Sequence, residues 1–231
     1  MKKLFNFYTI YAAVLVILNI NYTQSKIHIV CTAALIPEQY AVRQDEYTKS
    51  LLKLHEFGFI PYVVEPCLPK NSHTFLDDYA IVYYSNTNNF RLINKGVNEC
   101  VSLLAAFSQW TFDDEDIIIK TTGRYYFNTD HFIQLINQHP ECDMFIRWGK
   151  GQPIEFVSAG HVFTGCYAIR YKYFKDMLNR INFNTMEHAL VPVEAIVAEY
   201  ATKCLPPEKV MAVEKLDMTA RVGYGCSLSQ W

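Results

Sequence analysis

The stretch DEDIIIKTTGRYYFNTD (residues 114–130) decides the fold. Its three consecutive isoleucines, Ile117–Ile119, form a short apolar run that is typical of a buried strand. The run ends at Lys120, and Gly123 and Arg124 follow two threonines before the aromatic residues return. This stretch therefore predicts a central strand that ends in a polar loop. The loop either turns the chain or binds a negatively charged group.

Strands and helices alternate on both sides of this stretch. Runs of β-branched residues predict strands, and apolar residues at helical spacing predict helices, such as the one that Pro37 opens and Gly58 ends. The alternation predicts an α/β fold with a mixed, mainly parallel sheet flanked by helices and a more antiparallel second half. The predicted strands are 26–35, 60–66, 80–86, 117–120, 142–150 and 155–171, and the predicted helices are 37–59, 97–110, 131–139, 173–181 and 191–203.

The carboxyl ends of the predicted strands hold candidate binding residues. In a parallel sheet these ends meet at one edge, where α/β proteins bind their ligands. Glu65, which ends the second strand, would accept hydrogen bonds from a ribose or would be an exposed strand end. Besides the loop after the isoleucines, this rule selects Thr32, Glu65, Ser85 and Asn86.

Length and charge narrow the class of protein. A chain of 231 residues with 51% hydrophobic residues is long enough for one sizeable core. Its formal net charge of −2 provides no general basic surface, so the sequence predicts no nucleic-acid partner. Any anion-binding site must therefore be local.

The N-terminus has the pattern of a targeting segment. Two lysines at the start precede an apolar stretch, residues 4–22, with no further charge before Lys26. The pattern predicts that residues 1–25 are a cleaved secretory signal or an uncleaved membrane anchor, since about 20 apolar residues span a bilayer. Residues 26–231 are then one domain that is secreted, periplasmic or in the lumen of the secretory pathway. In the anchored case the N-terminus associates with the membrane.

The seven cysteines show no C-x-x-C spacing, which disfavours zinc and redox sites. Cys31, Cys100 and Cys166 lie within apolar runs and are predicted to be buried thiols. A cysteine hydrolase would need Cys166 with His161 or His188, but no orienting partner is evident in the sequence.

The order of elements and four motifs resemble glycosyltransferases of the GT-A fold, which use nucleotide-sugar donors. The motifs are RQDEYTKSLLKLHEFGFIPYVVE, NKGVNE, IIIKTTGRY and FTGCYAIR. Together they look like a small family with K-x-T-G-R-Y at the end of the strand that usually binds the metal. The resemblance implies a GT-A-like domain over residues 26–231. It also implies transfer of a sugar from a nucleotide-sugar donor to a glycan or another hydroxyl acceptor.

One departure from the GT-A pattern bears on the donor site. These enzymes usually carry Asp-x-Asp at this strand end, where it holds a divalent cation against the donor diphosphate, whereas Lys120 and Arg124 stand here. The acidic run 113–116 precedes the strand and is predicted to be a solvated turn at its amino end. An ammonium and a guanidinium can bind a diphosphate in place of the cation. The sequence predicts no metal ligand, although Mn²⁺ or Mg²⁺ held by an isolated carboxylate stays open.

The predicted donor site combines two arguments: the rule that α/β proteins bind ligands at the carboxyl ends of parallel strands, called the strand-end rule below, and the resemblance to GT-A enzymes. Gly123 would let the backbone approach the phosphates, and Lys95 would add a third cation. Alternatively, the two cations of the strand end form ion pairs with Glu99 or Asp130, and Gly123 only turns the chain. The predicted donor-binding residues are Thr32, Glu65, Asn86, Asn94, Lys95, Lys120, Thr122, Gly123 and Arg124.

An inverting transferase also needs a carboxylate base beside the acceptor hydroxyl, whereas a retaining one does not. Glu187 is the first candidate and Glu194 the second, because both follow the strand FTGCYAIR, where the acceptor side is expected. Thr164 and Gly165 in that strand are the predicted acceptor-side residues. A catalytically silent nucleotide- or carbohydrate-binding module of the same fold is the alternative, since a decayed enzyme would also lack Asp-x-Asp.

Overall fold

A computed structural model describes residues 25–148, 162–221 and 228–230. The predicted signal or anchor is residues 1–25, of which residues 1–24 lie outside the described residues. The helices are α1 (Tyr40–Glu56), α2 (Lys95–Phe107), α3 (His131–Gln138), α4 (Tyr171–Asn179), α5 (Phe183–His188) and α6 (Val193–Lys203). The strands are β1 (Ile27–Thr32), β2 (Tyr62–Glu65), β3 (Ile81–Tyr84), β4 (Ile117–Thr122), β5 (Tyr126–Phe127), β6 (Met144–Trp148), β7 (Val162–Arg170), β8 (Val210–Val213), β9 (Met218–Arg221) and β10 (Leu228–Gln230).

The main sheet has the strand order β3-β2-β1-β4-β7-β6-β8, and a small second sheet has the order β10-β9-β5. β1 is parallel to β2 and β4, and β2 is parallel to β3. β7 is antiparallel to β4 and β6, and β8 is parallel to β6. The predicted α/β fold with a mixed, mainly parallel sheet and an antiparallel second half is confirmed.

Helices pack on both faces of this sheet because side chains alternate along each strand. Val30 and Ile118 belong to the core on the face that α2, α4 and α6 cover. Ile29 and Ile119 belong to the core on the opposite face, which α1 and α3 cover. The central strand thus buries isoleucines on both sides, as its continuous apolar run indicates.

The central strand is longer than the sequence predicted. β4 continues through Thr121 to Thr122, because its pairing with β1 extends to the register Thr32–Thr122. The backbone amide of Gly123 then donates to the Thr32 carbonyl at 2.9 Å. The polar loop therefore begins at Gly123, and Lys120 lies inside the strand.

The acidic run lies at the amino end of β4, as predicted, but only part of it is solvated. Asp113–Glu115 are exposed. Asp116 is buried and accepts hydrogen bonds from the Lys26 amide at 2.9 Å and from His28 Nε2 at 3.0 Å. The prediction of a solvated turn is wrong for Asp116, because this carboxylate joins the starts of β1 and β4.

Several short elements were not predicted. α5 has six residues and β8 has four, which is too short for a clear hydrophobic period. Asp130 precedes α3, and its side chain accepts from Gln134 Nε2 at 2.8 Å without capping the helix. Among the described residues, no helix is both long enough and apolar enough to cross a membrane.

Candidate functional site

A cleft of about 460 Å³ lies at the carboxyl ends of β1, β2 and β4, at the sheet edge that the sequence indicated. α1 and α2 contribute residues to its walls, and the loop between β3 and α2 contributes Asn88 and Phe90. Four of the predicted donor-binding residues line it. These residues are Thr32, Lys95, Thr122 and Arg124.

Three positively charged side chains line the cleft. Arg43 is already hydrogen-bonded within the protein: its guanidinium donates to the Ala34 carbonyl and to Gln39 Oε1. The ammonium of Lys95 donates to the Leu92 carbonyl at 2.7 Å. Arg124 is half-buried and forms no hydrogen bond or ion pair with any residue in the described ranges. None of its donors is used within the described ranges, whereas the other two cations already use some of theirs there.

Lys120 is placed differently from Arg124. Its side chain is only 2% exposed, forms an ion pair with Glu99 of α2, and donates to the Thr164 carbonyl at 3.0 Å. The ion pair with Glu99 that the sequence left open is therefore present. Because Glu99 lines the cleft while Lys120 does not, the lysine lies behind the cleft wall.

Glu65 lies behind the cleft wall and binds backbone amides there. It is buried, and its carboxylate accepts from the amides of Leu35 at 2.9 Å and Cys67 at 2.7 Å. Burial raises the pKa of Glu65, although these two backbone hydrogen bonds oppose the rise. Both carboxylate oxygens thus bind backbone, and Glu65 is not among the residues that line the cleft.

Gly123 approaches a side chain of the cleft wall. A Cβ atom at this position would lie 3.2 Å from Cδ1 of Tyr47, and the Tyr47 hydroxyl accepts from the Ala34 amide at 3.0 Å. Glycine thus lets Tyr47 of α1 pack against the end of β4 and hold the loop after β1. Asn86, another predicted donor ligand, is exposed in a left-handed conformation with φ of 52° and is not among the cleft residues.

Asn94 and Glu187 join two helices. The Asn94 carbonyl oxygen Oδ1 accepts from the Gly96 amide at 3.0 Å and so caps α2. Its amide group donates to the carbonyls of Met186 and Val191 at 2.9 and 2.7 Å. The Glu187 carboxylate accepts from the Ile93 and Asn94 amides at 2.9 and 3.1 Å. Both side chains thus attach α5 to the start of α2, where Lys95 is the first residue.

The predicted acceptor side brings Thr164 and Glu194 together. The Thr164 hydroxyl donates to Glu194 Oε1 at 2.7 Å. Gly165 lies under two aromatic rings, because a Cβ atom there would be 2.3 Å from Cε2 of Tyr125 and 2.6 Å from Cζ of Phe163. Lys120, bound to the Thr164 carbonyl, connects this side to Glu99 in the cleft.

Sequence reasoning gave no ligand role to several residues of this region. Phe90 is 63% exposed at the cleft, and Arg43 projects into it from α1. Neither stands at a strand end, so the strand-end rule could not select them. Glu99 was considered only as an ion-pair partner, and Tyr125 was quoted within K-x-T-G-R-Y without a role.

The three cysteines within the apolar runs behave as buried thiols. Cys31, Cys100 and Cys166 are buried, as predicted, and burial raises the pKa of each to about 12. A thiol with such a pKa carries almost no thiolate at neutral pH, which argues against Cys166 as a nucleophile. His161, one of its proposed partners, lies outside the described residues, and His188 is exposed.

We expect alkylation of the native protein at pH 8 to label exposed Cys204 quickly and to leave Cys31 and Cys166 unmodified until the protein unfolds. Peptide mapping by mass spectrometry after a timed iodoacetamide pulse, with a denatured sample as control, measures this order. Rapid labelling of Cys166 in native protein would reopen the hydrolase alternative.

Within the described ranges, no three His, Cys, Asp or Glu side chains form a group that could hold a metal ion. In the cleft, Glu99 is the carboxylate that lines the wall, and it is paired with Lys120.

Comparisons with known proteins give remote similarities. No protein-family model matches the sequence, and no curated protein matches it. Among solved structures, a glycosyltransferase involved in the glycosylation of the major capsid of PBCV-1 is similar at a TM-score of 0.46 and 10% identity, over 82% of each chain. S. aureus TarS 1-349 is similar at a TM-score of 0.41 and 14% identity, over 65% of this chain and 48% of that one.

The apo form of the glycosyltransferase GlyE from Streptococcus pneumoniae TIGR4 is similar at a TM-score of 0.44 and 13% identity, over 83% of this chain and 46% of that one. This chain thus spans less than half of the TarS and GlyE chains. The TM-scores of all three similarities lie below 0.5, so they carry no argument about activity.

Proposed function

We propose that this chain is a glycosyltransferase that binds a nucleotide-sugar in the cleft and transfers the sugar to a glycan or another hydroxyl acceptor. The observation that carries the proposal is the half-buried guanidinium of Arg124, which lines the cleft at the carboxyl end of the central strand without a partner among the described residues. Arg43 and Lys95 line the same cleft, so a dianionic diphosphate would meet three positive charges.

The chemistry of transfer accounts for this arrangement. Negative charge develops on the diphosphate as the bond to the sugar breaks, and fixed cations stabilise that charge without rearranging. A guanidinium offers paired donors that match two phosphate oxygens. Arg124 is therefore proposed as the main phosphate ligand, with Lys95 and Arg43 as supporting charges. Thr32 and Thr122 contribute to the floor of the same cleft.

Glu194 is the better candidate for a base in an inverting reaction. Its carboxylate has accepted one hydrogen bond, from Thr164, and keeps further acceptor sites for an acceptor hydroxyl. Each oxygen of Glu187 already accepts a backbone amide of the loop before α2. Glu187 is accordingly assigned a structural role, in contrast to its first place in the sequence-based order.

The competing proposal is a binding module without catalysis. The same cleft residues would bind a nucleotide-sugar in an active enzyme and in a binding module. The absence of Asp-x-Asp after Ile119 also fits both: an enzyme that has lost its activity, and an active enzyme whose own cationic side chains replace the metal ion. Turnover separates the two. Release of nucleoside diphosphate and transfer of the sugar occur only in the enzyme.

We expect one family of nucleotide-sugars, tested as UDP-, GDP- and dTDP-sugars, to raise the melting temperature of the protein. At a ligand concentration 100 times the dissociation constant, the gain of about 2.7 kcal/mol corresponds to about 5–10 °C. Differential scanning fluorimetry with and without Mn²⁺ measures the shift and its metal dependence. The absence of any shift in well-folded protein would contradict both the enzyme and the nucleotide-binding module.

A further inference from the structure

Phe90 is an exposed aromatic side chain at the cleft. It lies in the loop between β3 and α2, lines the cleft, and is 63% exposed. Single apolar side chains scattered over a surface are ordinary, but this one borders the cleft that Arg124 also lines. An aromatic ring at such a position offers a flat apolar face to a ligand.

The loop that carries Phe90 is fixed by hydrogen bonds. The Asn98 side chain of α2 accepts from the Asn89 amide at 2.9 Å and donates to the Asn89 carbonyl at 3.0 Å. The ammonium of Lys95 donates to the Leu92 carbonyl at 2.7 Å. The ring of Phe90 is therefore exposed on a fixed loop, and a ligand would not have to order the loop when it binds.

Asn88, two residues before Phe90, offers free hydrogen-bonding groups to the cleft. Its side chain lines the cleft, is half-buried, and forms no hydrogen bond with any residue that the structure describes. Its backbone amide donates to the Pro66 carbonyl at 2.9 Å, just after the end of β2. A carboxamide has one acceptor oxygen and two donor hydrogens, which can pair with the mixed donors and acceptors on the edge of a nucleobase.

Glu65 is not available to a nucleoside in the cleft. In nucleotide-binding α/β folds an acidic residue at a nearby strand end binds the ribose. Here both carboxylate oxygens of Glu65 accept backbone amides, and the residue does not line the cleft. A nucleoside therefore has to be bound by other residues of the cleft.

The strand order places Phe90 and Asn88 at one side of the cleft and the acceptor side at the other. In the main sheet, β3, β2, β1, β4 and β7 are consecutive neighbours. Phe90 follows β3, Arg124 follows β4, and Thr164, which binds Glu194, lies in β7. When the diphosphate binds Arg124 and the sugar lies towards β7, the base lies towards β2 and β3.

We propose that the base of the nucleotide-sugar stacks on the ring of Phe90 and that the Asn88 carboxamide binds the edge of the base. The proposal rests on the proposed function, because it requires a nucleotide in the cleft. It assigns the nucleoside to the loop between β3 and α2 and leaves the diphosphate to Arg124.

Three variants of Phe90 test the stacking. Phe90→Leu keeps an apolar side chain without a ring, Phe90→Ala removes both, and Phe90→Trp supplies a larger ring. Isothermal titration with the nucleoside diphosphate chosen from the thermal-shift panel gives the dissociation constants. We expect the affinity to fall about 5–100-fold in Phe90→Ala and nearly as far in Phe90→Leu. Phe90→Trp should bind at least as tightly as the wild type, because a base stacks on either ring.

Inorganic pyrophosphate is the second probe, because it has two linked phosphates and no base. Its affinity should be the same in the wild type and in every Phe90 variant. Asn88→Ala should weaken binding of the nucleoside diphosphate about 3–10-fold, the usual effect of one neutral hydrogen bond, and should also leave pyrophosphate unchanged. Arg124→Ala, in contrast, should weaken both probes.

Ile93→Ala is the matched control. Ile93 lies in the same loop and is 76% exposed, but it is not among the cleft residues, so both affinities should match those of the wild type. The ratio of the two dissociation constants within one protein does not change with the folded fraction, because both probes bind only folded protein. Partial unfolding of a variant therefore cannot produce the expected result.

Wild-type affinity for the nucleoside diphosphate in Phe90→Ala would overturn the inference. Wild-type affinity in Phe90→Leu would do the same, because the contact would then need no ring. An equal loss for both probes in the Phe90 variants would also overturn it, since the loop would then act on the phosphate site. If pyrophosphate binds too weakly to measure, the difference between Phe90→Leu and Phe90→Trp decides with the nucleoside diphosphate alone.

The wild-type protein separates failure of the inference from failure of the proposed function. If it binds pyrophosphate as tightly as the nucleoside diphosphate, the base contact is refuted while the phosphate site stands. If it binds neither probe and no nucleotide-sugar, the proposed function fails first and the inference fails with it.

Discussion

Replacement of Arg124 by alanine should lower the affinity for a nucleotide-sugar about 10–100-fold, because hydrogen bonds to a charged group contribute about 1.5–3 kcal/mol. The guanidinium lines the cleft and has no partner among the described residues, so its loss should hardly change the melting temperature. Isothermal titration with the nucleotide-sugar and thermal denaturation of the same variant measure the two effects separately.

Two further variants make the Arg124 test specific. Arg124→Lys keeps the charge but loses the paired donors, so its affinity should fall between those of the wild type and of Arg124→Ala. Arg180→Ala removes an exposed arginine that pairs with Asp176 outside the cleft, and it should bind like the wild type. Normal affinity and turnover in Arg124→Ala would refute the phosphate site.

Replacement of Lys120 by methionine should destabilise the protein by about 3 kcal/mol, at the lower end of the range for breaking a buried ion pair. The change leaves Glu99 without its partner and the Thr164 carbonyl without the ammonium donor. For a chain of this length we expect the melting temperature to fall by about 6–12 °C. Chemical denaturation gives the free energy of unfolding, and thermal denaturation gives the shift.

A double variant and a surface variant serve as controls for Lys120. Lys120→Met combined with Glu99→Gln removes the unpaired charge and should recover part of the lost stability. Lys203→Met breaks an exposed pair with Glu199 and should cost no more than about 0.5 kcal/mol. If Lys120→Met is as stable as the wild type and only donor binding is lost, the lysine is a phosphate ligand, as the sequence first indicated.

The two cations of K-x-T-G-R-Y thus have different environments. Lys120 lies within β4 and, by strand alternation, on the same face as Ile118, where α2 supplies Glu99. Arg124 follows the last paired residue, Thr122, and lines the cleft. Stability should therefore depend on the lysine, and ligand affinity on the arginine.

The sequence by itself determined the type of fold and the edge of the sheet that bears the cleft. Short runs of β-branched residues between turn residues, such as Ile117–Ile119, favour buried strands. Their alternation with helical periods favours a helix-covered sheet. The carboxyl ends of parallel strands meet at one edge, and Thr32, Thr122 and Arg124 lie together there in the cleft.

The contacts of each polar side chain depend on how distant segments pack. Glu65, Asn94, Lys120 and Glu187 were all selected as ligands or as a base, yet each binds backbone or an internal partner. Those partners come from distant segments, and Glu187 is separated from the amides it binds by more than 90 positions in the chain. A sequence position indicates which groups a residue can offer. The packing of distant segments determines whether those groups are already occupied or remain available to a ligand, as at Arg124.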